Sequence, residues 1–292
     1  MTILDGKKTS EALKQEIAEE VKQLKDQGKK VPHLAAVLVG DDGASLTYVG
    51  SKVKACEQVG FASTLVKLPA DISEEKLLQE IAKLNTNPEI DGYIVQLPLP
   101  KHINEQKILL AIDPTKDVDG FHPANFGRMA LDMEAFIPAT PFGIMELLKR
   151  YKVPTQGKHV VVVGRSHIVG RPISILLSQK GAQGNATVTL THSHTPNLAD
   201  LTRQADIVVM ALGIPEFLKG DMVKEGVTVI DVGITRLKDD SSPKGYRIVG
   251  DVAFDEVKEK ASYITPVPGG VGPMTIAMLL KNTLLAHKWY RN

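Results

Sequence analysis

The sequence lacks the features that mark secreted, membrane-bound and nucleic-acid-binding chains. Cys56 is its single cysteine, which excludes an internal disulfide and fits a reducing compartment. Its 35 basic and 34 acidic side chains leave a formal net charge of +1, so bulk charge indicates neither a nucleic acid nor an acidic membrane as a partner. The start MTILDGKKTS has no apolar core of signal-peptide length, and no apolar run approaches a membrane span. We therefore expect a soluble, cytoplasmic protein with no nucleic-acid or membrane partner.

The chain has 292 residues, enough for two ordinary domains, and the sequence shows no internal repeat or low-complexity tract. Its first half alternates helical and strand patterns. An amphipathic helix begins at Ser10 and stops at Gly28, and a helix over about 45–59 follows the near-continuous apolar run HLAAVLVG. The strand FASTLVKL, a helix opened by a capping box at Asp71, and a strand that ends at Gln96 complete the series. The pattern predicts a βαβαβ array.

An irregular segment separates this array from the second half. Residues between Asp113 and Thr140 are rich in Pro, Gly, Asp and Asn and have no sustained period, and segments of that length usually line sites. A helix PFGIMELLKRY, the strands HVVVVG, ATVTL, DIVVMAL and VTVIDVG, and a last helix IAMLLKNTLLAHKW follow. Two such blocks predict an α/β fold with parallel sheets, in which ligands bind beyond the carboxyl ends of the strands.

The stretch VVVVGRSHIVGRP has the pattern of a strand, a tight turn and the start of a helix. Gly164 would let the chain turn, and Gly170 would let the helix pack close to the sheet, so that exposed amides meet a pyrophosphate. Arg165 and Ser166 fill the middle of the motif where the standard G-x-G-x-x-G has other residues. The alternative is a plain βα turn without a ligand.

The end of the next strand bears on the type of dinucleotide. An NAD site normally has an acid there that holds the ribose hydroxyls, whereas this chain has Thr191-His192-Ser193-His194-Thr195 and no acid. Arg165 and Ser193 could instead hold a 2′-phosphate, which favours NADP. The two histidines have no nearby carboxylate or cysteine to complete a metal-ligand set, so we expect no metal site and solvent-facing rings.

Four polar residues of the first half form a candidate cluster. Tyr48 and Lys52 are four residues apart and share one edge of their predicted helix. Gln96 ends an apolar strand and is followed by Leu97-Pro98-Leu99-Pro100, and Asp119 lies in the irregular segment. Each has an ordinary alternative, since most lysines are solvated and Asp-Gly is a common turn. The predicted fold brings these four residues together, because all of them would lie near the carboxyl ends of the strands of one sheet.

Seven motifs together resemble those of one family. They are YVGSK, GYIVQLPLP, KDVDGFHPANFGR, GRSHIVGRP, HSHT, VIDVGIT and PGGVGPMT. In this order they resemble the bifunctional methylenetetrahydrofolate dehydrogenase/methenyltetrahydrofolate cyclohydrolase family, and the resemblance runs from the first helix to the last. It implies oxidation of 5,10-methylenetetrahydrofolate with NADP⁺ and hydrolysis of the methenyl product to 10-formyltetrahydrofolate, in one-carbon metabolism and purine biosynthesis. It also implies a cytoplasmic homodimer.

The resemblance further implies two domains with a cleft between them. A folate-binding catalytic domain would comprise residues 1–138 and 271–292, the latter a helix that returns to the first domain. A Rossmann-type NADP-binding domain would comprise residues 139–270. The implied cofactor-binding residues are Gly164, Arg165, Ser166, Gly170, Ser193 and Ile234. The implied substrate-binding residues are Tyr48, Lys52, Gln96, Leu97, Asp119, Gly269, Gly270 and Pro273.

The same resemblance assigns roles to the catalytic set of Lys52, Tyr48, Gln96 and Asp119. Lys52 would be the catalytic lysine, oriented by Tyr48, which also stacks near the pterin. Gln96 would hydrogen-bond the lysine, and Asp119 would accept hydrogen bonds from the amino-pyrimidine edge of the folate. Because the product of hydride loss is a cation, we hypothesise that Lys52 works largely as a neutral amine and accepts a proton from the attacking water.

Two other functions are compatible with parts of the sequence. A dehydrogenase of a small amino or hydroxy acid would use the same two-domain plan, but it predicts a carboxylate-binding arginine in the first half, and none precedes Arg128. A nucleotide-sensing binding protein without catalysis would be expected to lack Lys52 or Gln96, and both are present.

Overall fold

The computed structural model describes residues 1–242 and 245–291. Its strands are β1 (Thr2–Ile3), β2 (His33–Val39), β3 (Ala62–Leu68), β4 (Gly92–Val95), β5 (His159–Val163), β6 (Thr187–Thr191), β7 (Ile207–Met210), β8 (Thr228–Asp231), β9 (Thr235–Lys238), β10 (Tyr246–Val249) and β11 (Tyr263–Ile264). Its helices are α1 (Gly6–Asp26), α2 (Gly43–Val59), α3 (Glu74–Thr86), α4 (Glu105–Ala111), α5 (Pro123–Ala130), α6 (Ala139–Arg150), α7 (Gly170–Ser178), α8 (Leu198–Gln204), α9 (Phe254–Val257) and α10 (Val271–Arg291), with a 3₁₀ turn at Gly220–Met222. Within these described residues, no helix combines the length and apolar character that a membrane crossing demands.

The chain divides into two compact units. The larger-sheet unit consists of Met1–Ser10 and Thr140–Thr275, and the smaller-sheet unit consists of Glu11–Ala139 and Ile276–Asn292. These units differ from the predicted domains near both ends of the chain. The first residues join the larger-sheet unit because β1 pairs in parallel with β11, with Thr2 opposite Tyr263.

The smaller sheet has the strand order β3-β2-β4 and is parallel throughout, as the predicted βαβαβ array requires. Its middle strand, β2, is buried on both faces, which explains its near-continuous apolar run. Leu34, Ala36 and Leu38 pack into a core with residues of α1, α2 and α10. Ala35 and Val37 point to the opposite face and pack into a second core with residues of α3 and α4.

Three predicted helix starts are displaced in the structure. The first helix begins at Gly6 rather than Ser10, and the last begins at Val271 rather than Ile276. The third begins after Ser73, whose hydroxyl accepts the N–H of Lys76 at 3.3 Å, so Asp71 is not its cap. Serine and aspartate are both good caps, so the residue type alone does not show which of two positions two residues apart begins the helix.

The segment predicted to be irregular contains a short helix, α5. His122 caps this helix by accepting the N–H of Ala124 through Nδ1, and Pro123 occupies the first turn, where its missing N–H costs nothing. The segment is tied to α10 by Asn282, which donates to the carbonyls of Val118 at 2.8 Å and Ile137 at 2.9 Å. Its backbone is therefore fixed by tertiary contacts.

The larger sheet has the order β1-β11-β8-β7-β5-β6, and its strand pairs are parallel. The predicted strands of the second half are β5, β6, β7 and β8. The sequence did not predict β1, β11 or the antiparallel pair β9–β10. β1 and β11 are two residues long, so they are too short to carry a periodic pattern.

Candidate active site

Lys52 and Gln96 meet at the carboxyl end of the smaller sheet. The Lys52 ammonium donates to Oε1 of Gln96 at 3.1 Å, and Nε2 of Gln96 donates to the carbonyl of Leu97 at 2.7 Å. The backbone N–H of Gln96 still donates to Val37 of β2 at 2.9 Å, so the residue continues the strand pairing by one position. The two side-chain bonds orient the carboxamide with its oxygen toward the lysine, and the backbone bond fixes the position of the residue. The predicted contact between the two side chains is present.

Asp119 and Tyr48 flank this pair. Burial raises the pKa of the Asp119 carboxyl, and the positive charge of Lys52 opposes that rise, so the two charged groups act on each other. Tyr48 precedes Lys52 by one turn of α2 and is 46% exposed, which leaves its ring available to a ligand. Leu97 follows Gln96 and is joined to Pro98 by a cis peptide bond. The structure thus gathers the predicted catalytic residues within one unit.

Sequence reasoning missed Asp117, the first aspartate of the KDVDG motif. Its side chain is 1% exposed and accepts hydrogen bonds from the N–H of Phe121 at 3.2 Å, the N–H of His122 at 2.8 Å and Nδ2 of Asn125 at 2.9 Å. Its backbone carbonyl accepts the N–H of Gly120 at 3.0 Å, which closes the turn that carries Asp119.

The environment of Asp117 changes its acidity. Burial raises the pKa of Asp117 to about 7; the donors Asn125, His122 and Phe121 oppose that rise, and the charge of Asp119 adds to it. A signal for this residue was present, since the motif holds a second aspartate two residues before Asp119. The sequence alone did not tell which aspartate would be buried.

The Gly-rich turn has the close approaches that its motif predicts. Gly164 adopts a φ of 116°, and a Cβ there would come within 2.2 Å of the Ala211 carbonyl. A Cβ at Gly170 would come within 1.9 Å of the Gly164 carbonyl, so α7 can begin there only without a side chain. The result is a bare cradle after β5, which fits a pyrophosphate group.

The polar residues around this cradle are accessible. Arg165, Ser166 and Ser193 are exposed. The Ser166 hydroxyl accepts the N–H groups of Val169 at 3.1 Å and Gly170 at 3.3 Å, so it also orders the start of the helix. Partial burial and the charge of Arg165 lower the pKa of His192, which shows that the arginine acts on the turn after β6. Arg165 and that turn therefore suit a phosphate group.

The remaining predicted residues line one cavity in the larger-sheet unit. The cavity has a volume of about 160 Å³, and its wall includes Ile234, Gly269, Gly270 and Pro273. Ile234 is 55% exposed, and Gly269 has a φ of 106°. Among the described residues, no group of three His, Cys, Asp or Glu side chains is arranged to hold a metal ion.

Two family models match the two halves of the chain. Residues 4–119 match the family model of the tetrahydrofolate dehydrogenase/cyclohydrolase catalytic domain, and residues 138–291 match that of its NAD(P)-binding domain. Bifunctional protein FolD of Flavobacterium johnsoniae is 73% identical over 288 residues, 99% of this chain and 98% of that protein.

Two solved structures are similar over nearly the whole chain. The bifunctional FolD dehydrogenase/cyclohydrolase of Campylobacter jejuni is 50% identical with a TM-score of 0.93, covering 99% of both chains. The FolD of Trypanosoma brucei, complexed with NADP cofactor and an inhibitor, is 42% identical with a TM-score of 0.92, covering 99% of this chain and 97% of that one.

The raised pKa of Asp117 predicts a pH-dependent stability. Between pH 3.8, the ordinary value, and about pH 7, the folded protein binds a proton that the unfolded chain releases, so the free energy of unfolding falls as pH rises through this range. The contribution is at most about 4 kcal/mol at about 1.4 kcal/mol for each pKa unit. We expect Asp117→Asn to lack it. Urea unfolding from about pH 4 to about pH 8, followed by the fluorescence of Trp289, measures the difference.

Trp289 suits this measurement because it is the single tryptophan and stacks on Phe136 within the smaller-sheet unit, at a ring distance of 5.1 Å. Asp26→Asn replaces a carboxylate with a carboxamide at an exposed position of α1 in the same unit, so it is the matched control. Parallel pH profiles for the parent and Asp117→Asn would show that Asp117 does not take up this proton.

Proposed function

This chain belongs to the tetrahydrofolate dehydrogenase/cyclohydrolase family, and we propose that Lys52, Gln96 and Asp119 are the catalytic centre of its two reactions. The protein oxidises 5,10-methylenetetrahydrofolate to 5,10-methenyltetrahydrofolate with NADP⁺ and hydrolyses the product to 10-formyltetrahydrofolate. Its activities are those of an NADP-dependent dehydrogenase and a cyclohydrolase of one-carbon metabolism. The bond from Lys52 to Gln96 is the observation that carries the assignment of the catalytic centre.

The chemistry calls for a base beside a cation. The methenyl product carries a positive charge between two nitrogens, and the water that attacks it must lose a proton. An ammonium at that position would repel the cation, whereas a neutral amine accepts the proton. Lys52 is half-buried, and its hydrogen-bond acceptor, Gln96, is neutral.

Gln96 sets the position of the amine without adding a charge. Its oxygen accepts from Lys52, and its Nε2 is occupied by the Leu97 carbonyl, so rotation of the carboxamide would break both bonds. A glutamate would accept the same hydrogen bond but would stabilise the ammonium by a charge-assisted interaction. The neutral side chain therefore suits a lysine that must give up and take a proton.

Asp119 and Tyr48 complete the folate site in this proposal. The Asp119 carboxyl accepts hydrogen bonds from the amino-pyrimidine edge of the substrate, and its turn is fixed by Asp117. Tyr48 stacks near the pterin and orients Lys52, and Leu97 contributes to substrate binding. The exposed edge of α2 and the fixed turn at Asp119 support these roles.

The larger-sheet unit binds NADP. We assign the pyrophosphate to the bare cradle at Gly164 and Gly170, and the 2′-phosphate to Arg165 and Ser193, with Ser166 ordering the turn. We assign the nicotinamide ring to the cavity that includes Ile234. Gly269, Gly270 and Pro273, which the family resemblance assigns to substrate binding, line the same cavity, and the glycines would let backbone approach the bound ligands. When bound, the oxidised cofactor accepts the hydride from the substrate's methylene carbon.

The alternative functions lose their support. A dehydrogenase of a small acid would have no use for the Lys52–Gln96 pair, which serves hydrolysis. A binding protein without catalysis would have no need to fix the Gln96 carboxamide by two hydrogen bonds. Family membership favours the bifunctional enzyme over both.

We further propose a cytoplasmic homodimer whose 10-formyltetrahydrofolate supplies formyl groups for purine biosynthesis. The family resemblance supports the dimer. Burial raises the pKa of the Cys56 thiol to about 12, and a lone buried thiol suits a reducing compartment. Sedimentation velocity tests the assembly: a species of twice the 31.7 kDa chain mass is expected, and a monomer would contradict the dimer.

Replacing Lys52 tests the assignment of the base. We expect the parent to reduce NADP⁺ with methylenetetrahydrofolate and to hydrolyse methenyltetrahydrofolate, and Lys52→Ala to lose hydrolysis by at least about a thousandfold, within the range for a catalytic base. Absorbance of reduced nicotinamide and of the methenyl compound reports the two reactions. Lys54→Ala, on an exposed lysine two residues away, is the control. Hydrolysis by Lys52→Ala at the parental rate would remove Lys52 from the mechanism.

Adding a negative charge at position 96 tests the neutral-amine hypothesis. We expect Gln96→Glu to slow hydrolysis by about tenfold to a hundredfold while NADP binding is unchanged, because the carboxylate holds Lys52 in its charged form. Hydrolysis rates from about pH 6 to about pH 9 and calorimetric binding of NADP⁺ measure the two effects. Equal rates for the variant and the parent over this range would refute the hypothesis.

A further inference from the structure

Asp231 is a buried carboxylate at the wall of the cavity that we assign to the nicotinamide ring. It is the last residue of β8, is 3% exposed, and lines the cavity together with Gly233 and Ile234. Its Oδ1 accepts the N–H groups of Gly233 and Asp251, both at 2.9 Å, and its Oδ2 accepts the N–H of Val252 at 3.0 Å. The side chain is therefore rigidly held.

A second carboxylate lies behind the same wall. Asp251 is fully buried, and its Oδ2 accepts the N–H groups of Leu212 at 2.7 Å and Gly213 at 2.9 Å. Its Oδ1 is buried without a hydrogen-bond partner among the described residues and lies so close to Gly233 that a Cβ there would approach it to 2.3 Å. Gly233, which lines the cavity, thus packs directly against Oδ1 of Asp251.

Neither acid is hydrogen-bonded to a cationic side chain among the described residues. Within residues 1–242 and 245–291, the hydrogen-bond donors to both carboxylates are backbone N–H groups, and no lysine, arginine or histidine pairs with either. A buried carboxylate that only backbone N–H groups stabilise is costly, and its place beside a binding cavity points to a role with a charged ligand. Asp231 also lines a neighbouring cavity of about 360 Å³. The other ionisable residues of that cavity are Glu216, Lys219, Arg247, Asp255 and Glu256.

We propose that Asp231, in its ionised form, makes the larger-sheet unit select NADP⁺ over NADPH. The inference rests on the proposed function, because it takes the cavity to hold the nicotinamide ring. That ring is positive in the oxidised cofactor and neutral in the reduced one, and the two forms are otherwise alike in charge. A negative charge held close to the ring in a medium of low dielectric therefore stabilises the oxidised form alone.

The ionisation of Asp231 can be varied without mutation. Burial raises the pKa of Asp231 to about 6; the N–H groups of Asp251, Gly233 and Val252 oppose the rise, and the charge of Asp251 adds to it. The carboxylate is therefore mostly charged above this pH and mostly neutral below it. The 2′-phosphate of the cofactor also titrates, but it is common to both forms, so its effect cancels in the ratio of their affinities.

The experiment is calorimetric titration of the whole protein with NADP⁺ and, separately, with freshly prepared NADPH. At about pH 7.5 we expect Asp231→Asn to shift the ratio of the two dissociation constants by about tenfold toward NADPH, chiefly through weaker NADP⁺ binding. In the parent, lowering the pH to about 5.5 should shift the ratio several-fold in the same direction. A purely structural role would weaken both cofactors alike and leave the ratio unchanged.

Asp206→Asn is the matched control. Asp206 lies in the same unit and accepts a backbone N–H from His159, but it pairs with Lys224 at 2.7 Å and does not line the cavity, so the ratio should stay at the parental value. The pH comparison keeps the test valid if Asp231→Asn fails to fold. Binding of both cofactors with a ratio that neither change moves would overturn the inference and leave the function intact. Failure of the parent to bind either cofactor would overturn both.

Discussion

Buried aspartates determine the shape of both ligand-binding ends of this protein, because they accept backbone N–H groups where the chain leaves its parallel sheets. Asp117 does so for the turn that carries Asp119, and Asp231 and Asp251 do so for the loops after β7 and β8. A carboxylate offers about four lone-pair sites, so one side chain can hold several donors that a hydroxyl or amide could not satisfy together. Burial raises the pKa of Asp117 to about 7 and that of Asp231 to about 6, which shows what this arrangement costs.

The amino ends of the two sheets share the same pattern of hydrogen bonds. The middle strand β2 starts with His33, whose N–H donates to Asp91 at 2.7 Å and whose ring contacts Thr64 at 2.8 Å. The strand β5 starts with His159, whose N–H donates to Asp206 at 2.9 Å and whose ring contacts Thr189 at 3.0 Å. In both sheets the aspartate precedes one neighbouring strand and the threonine lies on the other. The candidate sites lie at the opposite, carboxyl ends of the strands, as is usual for parallel sheets.

The sequence predicted the elements whose residues repeat a local pattern. The strand β2 was found because burial on both faces makes it a continuous apolar run, and the shared edge of Tyr48 and Lys52 followed from helix geometry alone. The contact between Lys52 and Gln96 joins residues 44 positions apart and followed from the expectation that parallel strands end on one side. The roles of these residues came from the family resemblance rather than from spacing.

What the sequence did not predict depends on contacts between distant segments. The first turn of α1 is helical at Gly6, which packs so tightly that a Cβ would come within 1.7 Å of the Gly270 carbonyl. The two-residue strands β1 and β11 exist only because they pair with each other and, through β11, with β8. Asp117 and Asp119 are alike in sequence, and only the core around Tyr93 and Asn125 makes the first the buried one. Local rules give no information on such positions.

Hydride transfer moves a positive charge from the nicotinamide ring to the folate, so a group that stabilises NADP⁺ opposes the reaction and a group that favours the methenyl cation promotes it. Selection of NADP⁺ by Asp231 stabilises the cofactor before hydride transfer and loses its effect afterwards, so it cannot lower the barrier of that step. The benefit of this selection lies in cofactor exchange. The reduced cofactor is not attracted by the Asp231 carboxylate and therefore leaves more readily, and product release is often the slow step in enzymes. The driving force for hydride loss must then come from groups that favour the emerging cation. In the proposed mechanism the neutral Lys52 amine, held by the uncharged Gln96 carboxamide, adds no positive charge that would repel the methenyl product.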